Sequence, residues 1–173
     1  MGKLNNEIDL TITIIGDASP GSTRGQMEKE KILATVNKYN LESKVRLLGY
    51  QPHKIMMQEA YNNHVFLSPS VTASDGDTEG GAPVSIIELA ASGMPVVSTN
   101  HCDIPEIIDD GRTGLLTNER DVDGLVGKLK WLINNPGKWR QITDDARHHI
   151  DKEFNAQIQG QRLLKIYQDV LDA

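Results

Sequence analysis

A chain of 173 residues, 38% of them hydrophobic, is a single domain of ordinary size, long enough to bury a proper core. Its 24 acidic residues outnumber 18 basic ones, and the net charge of −6 argues against a nucleic-acid partner, which would need a basic face. The single cysteine, Cys102, excludes an internal disulfide and fits a reducing, cytoplasmic compartment. The polar start, Met1-Gly-Lys-Leu-Asn-Asn-Glu7, is no signal peptide, and no apolar run approaches membrane-spanning length.

Residues 1–9 are polar and read as frayed. Residues 10–15, Leu-Thr-Ile-Thr-Ile-Ile, are β-branched and apolar, which suits a buried parallel strand. That strand ends at Gly16-Asp17 in a loop rich in small residues. A glycine at the carboxyl end of such a strand either lets a ligand approach closely or simply turns the chain, and both readings stand. Residues 26–40 form a helix with Ile32, Leu33, Val36 and Tyr39 at helical spacing. Residues 45–48 are a second strand. Gly49-Tyr50-Gln51-Pro52-His53 is a loop, and Pro52 opens a helix through Tyr61. Tyr50 either meets a ligand or covers the edge of the core.

Residues 64–67 are a third strand, closed by Ser68-Pro69-Ser70. Residues 71–79 form an acidic loop in which Asp75, Asp77 and Glu79 alternate. Alternating carboxylates suggest a divalent cation. The rest of a calcium-loop pattern is missing, so no metal ligands are assigned. The stretch from Ser74 to Thr99 organises the chain. After the acidic loop come Gly80-Gly81-Ala82, then Pro83 at a first helical position, then a helix to Ser92 with Val84, Ile87, Leu89, Ala90 and Ala91 turned inward. Gly93 ends that helix, because only glycine takes the left-handed cap geometry without strain. Residues 94–98 are a buried strand. A glycine-rich loop thus delivers a helix N-terminus to solvent, with Glu79 before it and Glu88 within it. Backbone N–H groups at such an end bind anions, and a neighbouring carboxylate accepts hydrogen bonds from sugar hydroxyls.

Asn100-His101-Cys102-Asp103 places potential ligands in a row, but adjacent side chains rarely converge on one ion. The run reads instead as a loop with an N-cap at Asp103, before Pro105 and Glu106 in a short helix. Residues 113–116 are the last strand. Helices follow from Asp121 to Asn134, from Trp139 to Phe154 and from residue 157 to 171. Trp139, His148 and His149 read as cover for the core, and residues 155–173 as a terminal helical segment. Strands alternating with helices specify an α/β fold with a doubly wound parallel sheet of Rossmann type.

The residues from Glu79-Gly-Gly-Ala-Pro83 through Glu88 to Ala91-Ser-Gly93-Met-Pro95-Val-Val-Ser-Thr99 resemble the donor-site signature of family 4 (group 1) retaining glycosyltransferases. These are nucleotide-sugar enzymes of two Rossmann-like domains, the GT-B fold. The likeness continues at Gly49-Tyr50, at Val65-Phe-Leu-Ser-Pro69-Ser70, at Ile104-Pro105-Glu106 through Gly111 and Gly114, and in Phe154, Leu164 and Tyr167. It runs from Ile12 onward. One departure is in spacing: eight residues separate Glu79 from Glu88, where the family has seven, and the extra one falls in the glycine loop.

The resemblance implies the C-terminal, donor-binding half of such an enzyme. It gives Glu79 the catalytic position over the sugar hydroxyls and Glu88 the ribose hydroxyls. Gly80, Gly81 and Ala82 would hold the diphosphate, and Gly16, Tyr50 and Gln51 would line the nucleotide. No cofactor is expected beyond the nucleoside-diphosphate sugar substrate. The family's first central strand, which carries an Arg and a downstream Lys, has no counterpart here, nor does its acceptor domain. Either a sugar moves to a glycan, lipid-linked or small-molecule acceptor with help from a missing domain, or the chain is a non-catalytic nucleotide-sugar-binding subunit with a separate partner chain. A sugar-nucleotide epimerase shares only the fold class.

Overall fold

The computed structural model describes every residue except Glu79 and Ala173. The chain divides into two compact units, Met1–Asn62 and Asn63–Ala173. Each carries its own parallel sheet with helices between the strands, so the α/β class expected from the alternation is the one observed.

In the first unit, β1 (Ile12–Ile14) leads to α1 (Thr23–Lys38), β2 (Val45–Leu47) and α2 (His53–Tyr61). Strands β1 and β2 pair in parallel, with Ile12 opposite Val45 and Ile14 opposite Leu47. Ser22 caps α1, its Oγ accepting from the Gly25 N–H at 3.0 Å. Two expectations change here. Residues 1–8 are not frayed: Leu4 is buried, the N–H groups of Glu7 and Ile8 both donate to its carbonyl, and Asn5 donates to the Tyr39 carbonyl. And β1 is only half-buried, while α1 buries no residue and leaves Ile32 and Leu33 exposed. A two-stranded ribbon offers too little surface to cover a four-turn helix.

The second unit contains β3 (Phe66–Ser68), α3 (Val84–Ser92), β4 (Val96–Thr99), α4 (Ile104–Ile107), β5 (Leu115–Thr117), α5 (Val122–Asn134), a 3₁₀ turn at Pro136–Lys138, α6 (Trp139–Glu153) and α7 (Ala156–Leu171). Its strands run parallel in the order β3-β4-β5, with Phe66 opposite Val96 and Val97 opposite Leu115. β4 is buried at all four positions. Ile86, Ala90, Val96, Ile104, Ile107, Ile108, Leu116, Ala146 and Ile150 form one apolar core. Trp139 is half-buried, donating from Nε1 to the Leu132 carbonyl at 2.7 Å and meeting His64 edge-on, while His148, expected to cover the core, is exposed.

Gly93 does end α3 in the left-handed conformation, at φ 89°. The start of that helix differs from expectation. Pro83 is its N-cap, with extended backbone, rather than its first helical residue. The buried face is Ile86, Leu89 and Ala90, whereas Val84 is 65% exposed and Ala91 faces outward. The helix is covered by α6 as well as by the sheet, which turns the buried stripe toward Ile86.

Ile107→Ala should therefore lower the stability of the second unit by about 2–5 kcal/mol, and Val84→Ala by less than about 0.5 kcal/mol. Urea unfolding followed through Trp131 and Trp139, both in that unit, measures the difference.

Candidate functional site

In open parallel α/β sheets, ligands are met at the carboxyl ends of the strands. In the first unit those ends are tied together. The Leu48 N–H donates to the Ile14 carbonyl at 3.0 Å, and the Gly16 N–H to the Gly49 carbonyl at 2.8 Å. Gly16 sits at φ 129° and Gly49 at φ 66°, conformations that favour glycine. A side chain at Gly16 would meet nothing within 4 Å, so this turn leaves open space beside the backbone. Tyr50 is exposed, and its hydroxyl lies 3.2 Å from Ser19 Oγ in the loop that follows Gly16. It therefore does not seal the core edge. Gln51 spends its amide on its own turn, donating from Nε2 to the Leu48 carbonyl at 2.5 Å. Asp17 organises the same loop: Lys29 Nζ lies 2.7 Å from its Oδ1, and the Ala18 N–H donates to it. The lysine first, then that N–H, hold the Asp17 carboxyl below the usual carboxylate range. A cavity of about 580 Å³ opens along this loop, between Asp17, Ser19, Ser22 and the first turns of α1.

In the second unit the glycine loop precedes α3 as expected. Gly80 takes φ 72°, and its N–H donates to Thr78 Oγ1 at 3.1 Å. A Cβ placed on Gly81 would stand 3.7 Å from Asp103 Oδ2, so the β4–α4 loop lies alongside the glycine turn. Ala82 packs on the core. Pro83 has no side-chain acceptor to lay over the first N–H groups of α3. Glu88, the fifth residue of α3, is half-buried rather than enclosed. Glu79 lies outside the described residues. Asp75 and Asp77 join no group of three or more His, Cys, Asp or Glu that could hold a metal, among the described residues.

No motif in the sequence announces the polar cluster behind this loop. His101 is 1% exposed, and its Nδ1 lies 2.6 Å from Glu119 Oε1. Glu119 also accepts from the Thr72 N–H at 2.8 Å and from Thr72 Oγ1 at 3.2 Å, while Arg120 donates to the Thr72 carbonyl. The root of the acidic loop is thus clamped to the β5–α5 loop. The His101 bond first, then the Thr72 N–H, keep the Glu119 carboxyl below its ordinary value. Cys102, at φ 44°, folds back so that its Sγ lies 3.3 Å from His101 Nε2. Two adjacent side chains do converge here, because a left-handed residue reverses the chain between them. Asp103 is the N-cap of α4 by position, but its side chain makes no capping bond.

The family profile described as "Glycosyl transferases group 1" matches residues 1–149. The chain belongs to the group 1 glycosyltransferases. Among curated relatives, it is 33% identical over 144 residues to WcaL of Escherichia coli K12, whose name places it among colanic acid biosynthesis glycosyltransferases; the match covers 81% of this chain and 34% of WcaL. It is 36% identical over 127 residues to the amylovoran biosynthesis glycosyltransferase AmsK of Erwinia amylovora, covering 73% of this chain and 31% of AmsK. The chain spans about a third of the length of these relatives. Among solved structures, a glycosyltransferase from Rickettsia africae superposes with a TM-score of 0.79 at 18% identity, covering 98% of this chain and 42% of that one. Anabaena HepE in complex with UDP-glucose gives 0.75 at 22% identity, covering 92% and 41%. These likenesses establish that this group 1 chain has the fold of part of a GT-B glycosyltransferase.

Glu119 has a consequence for acid stability. Its folded-state carboxyl titrates below its unfolded value, so it contributes stability above the unfolded value, about pH 4.3, and loses it as pH falls through the folded one. Glu119→Gln should lower stability near neutrality, and its deficit against the parent should shrink as pH drops below about 4. Urea unfolding at a series of pH values reads this directly.

Proposed function

We propose that this chain binds the donor in a retaining glycosyltransferase that moves a sugar from a nucleoside-diphosphate sugar to a glycan, lipid-linked or small-molecule acceptor. The observation that carries this reading is the glycine turn at Gly80-Gly81 feeding a helix whose N-cap is a proline, with Glu88 half-buried one turn farther on. In this reading the diphosphate takes the N–H groups around Gly80, Gly81 and Ala82, displacing Thr78 Oγ1 from the Gly80 N–H. Glu88 accepts the ribose hydroxyls, and Glu79 keeps the position over the sugar that the resemblance gives it. Gly16, Tyr50 and Gln51 keep their assignment to the nucleotide. HepE, a structural neighbour, has been solved with UDP and with UDP-glucose, which supports a uridine nucleotide as the first ligand to try.

Catalysis here consists of positioning and of stabilising charge on the departing diphosphate, with no metal and no covalent step on this chain. A cytoplasmic setting, where nucleotide sugars are made and thiols stay reduced, fits the single cysteine. Among the described residues each sheet has two strands paired on one side only, β1 and β2 in the first and β3 and β5 in the second. Open edges of this kind accept a strand from elsewhere, which supports a second reading: a nucleotide-sugar-binding subunit completed by a partner chain.

Titration calorimetry with UDP should show binding to the chain, and Glu88→Gln should weaken it about tenfold, the loss of one hydrogen bond to a charged group. Unchanged affinity would remove Glu88 from the site. Incubated alone with UDP-glucose and acceptor glycans, the chain should transfer no sugar; turnover would refute its dependence on a further domain.

A further inference from the structure

Cys102, His101 and Glu119 form a chain of three groups that the donor reading does not use. The protonation states follow from the bonds. Glu119 accepts from the Thr72 N–H and hydroxyl, and its carboxyl is held below its ordinary value, so it is an ionised acceptor with no proton to give. The 2.6 Å contact with His101 Nδ1 is then made by an N–H on Nδ1. In the neutral ring this leaves the lone pair on Nε2, and the group 3.3 Å from it is the Cys102 thiol, which donates. A nucleophile on its base, with the base oriented by a carboxylate, here the half-buried Glu119, is the arrangement that activates serine and cysteine in hydrolytic enzymes. The imidazole is buried and fixed, while Cys102 is exposed.

We infer that Cys102 is a modification site that reacts with low-molecular-weight disulfides. The Sγ proton passes to His101 Nε2 as the sulfur attacks one sulfur of RS–SR. The S–S bond of the reagent breaks, a Cys102–S–S–R bond forms, and the departing RS⁻ recovers the proton as RSH. The exchange is redox-neutral, and a small thiol reverses it. The consequence follows from position and rests on the donor reading above. Asp103, the next residue, lies beside Gly81, which puts Cys102 one residue from the turn assigned to the diphosphate and brings that turn within reach of a bulky adduct. Oxidised small thiols would thereby switch donor binding off.

Cys102 is the only cysteine, so the colour released from dithiobis(nitrobenzoate) reports this residue alone. The native chain should react at least about tenfold faster than the urea-unfolded chain at the same pH and urea-corrected baseline, a threshold set below the roughly hundredfold at which assistance from a positioned base begins. His101→Gln and, should that variant fail to fold, Glu119→Gln should slow the native reaction several-fold while leaving the unfolded rate unchanged. A native rate no greater than the unfolded one, or a folded variant as fast as the parent, overturns the proposal. Mass spectrometry after exposure to glutathione disulfide should show one reversible adduct. Calorimetry then separates the two readings. If UDP binds the unmodified chain and the adduct abolishes binding, the switch stands. UDP binding that the adduct leaves intact overturns the switch alone. A fast thiol on a chain that binds no UDP removes the donor reading and leaves the thiol site in place.

Discussion

Strand β4 is enclosed along its whole length, and it ends in two hydroxyl residues, Ser98 and Thr99, that are fully buried. A hydroxyl left unpaired in such a place costs about 1–3 kcal/mol. Both are paired outward along the sheet: Ser98 Oγ donates to the Ser68 carbonyl at 2.6 Å and Thr99 Oγ1 to the Ser70 carbonyl at 2.5 Å. These bonds continue the attachment of β3 to β4 past the point where the ladder stops, and they fix where the acidic loop departs. On the other side the Asn100 N–H donates to the Thr117 carbonyl, at the end of β5. The loops that leave the carboxyl end of this sheet are therefore set by the polar end of one buried strand. The glycine turn, Thr72, His101 and Glu119 all hang from them.

Much of this was legible in the sequence, and the failures share a cause. Strands and helices stood out because periodicity and Gly/Pro punctuation are local signals, and most boundaries moved by only one or two residues. The glycine at position 93 was readable for the same reason, since a left-handed cap is a property of one residue and its helix. The inward face of α3 was misread because it depends on α6, more than fifty residues later, whose Ala146 and Ile150 belong to the same core. The clamp of Glu119 on His101 and Thr72 spans 18 and 47 residues and follows no motif. The expectation that neighbouring His and Cys side chains stay apart is sound for extended or helical backbone. It fails at Cys102 because that one residue has positive φ.

The helices differ in how far a periodic apolar pattern translates into burial. Ile86, Leu89 and Ala90 of α3, Leu129 and Leu132 of α5, and Ile142, Ala146 and Ile150 of α6 are buried. In α1 and α7 the same spacing yields no buried residue at all, and Leu163, Leu164 and Tyr167 of α7 are exposed. Hydrophobic periodicity records that a helix has an apolar face. It carries no information on what covers that face, and α7 holds its position instead through Asn155, whose Oδ1 accepts from the Gln157 and Ile158 N–H groups, and through the Arg162–Glu153 pair.

A net charge of −6 looks unfavourable for an anionic ligand, and the geometry shows why the total is the wrong quantity. At physiological salt, charges farther than about 8 Å are largely screened, so a diphosphate at the glycine turn responds to its immediate neighbours. One carboxylate that counts is Asp103, beside Gly81. Against it stand backbone N–H groups aimed by the turn and by the start of α3, equivalent to about half a positive charge with fixed direction. Such groups are oriented before the ligand arrives, whereas water must be reorganised to do the same work. In the donor-binding reading proposed above, a phosphate at that turn would exchange hydration for prearranged donors, while distant carboxylates are screened by salt.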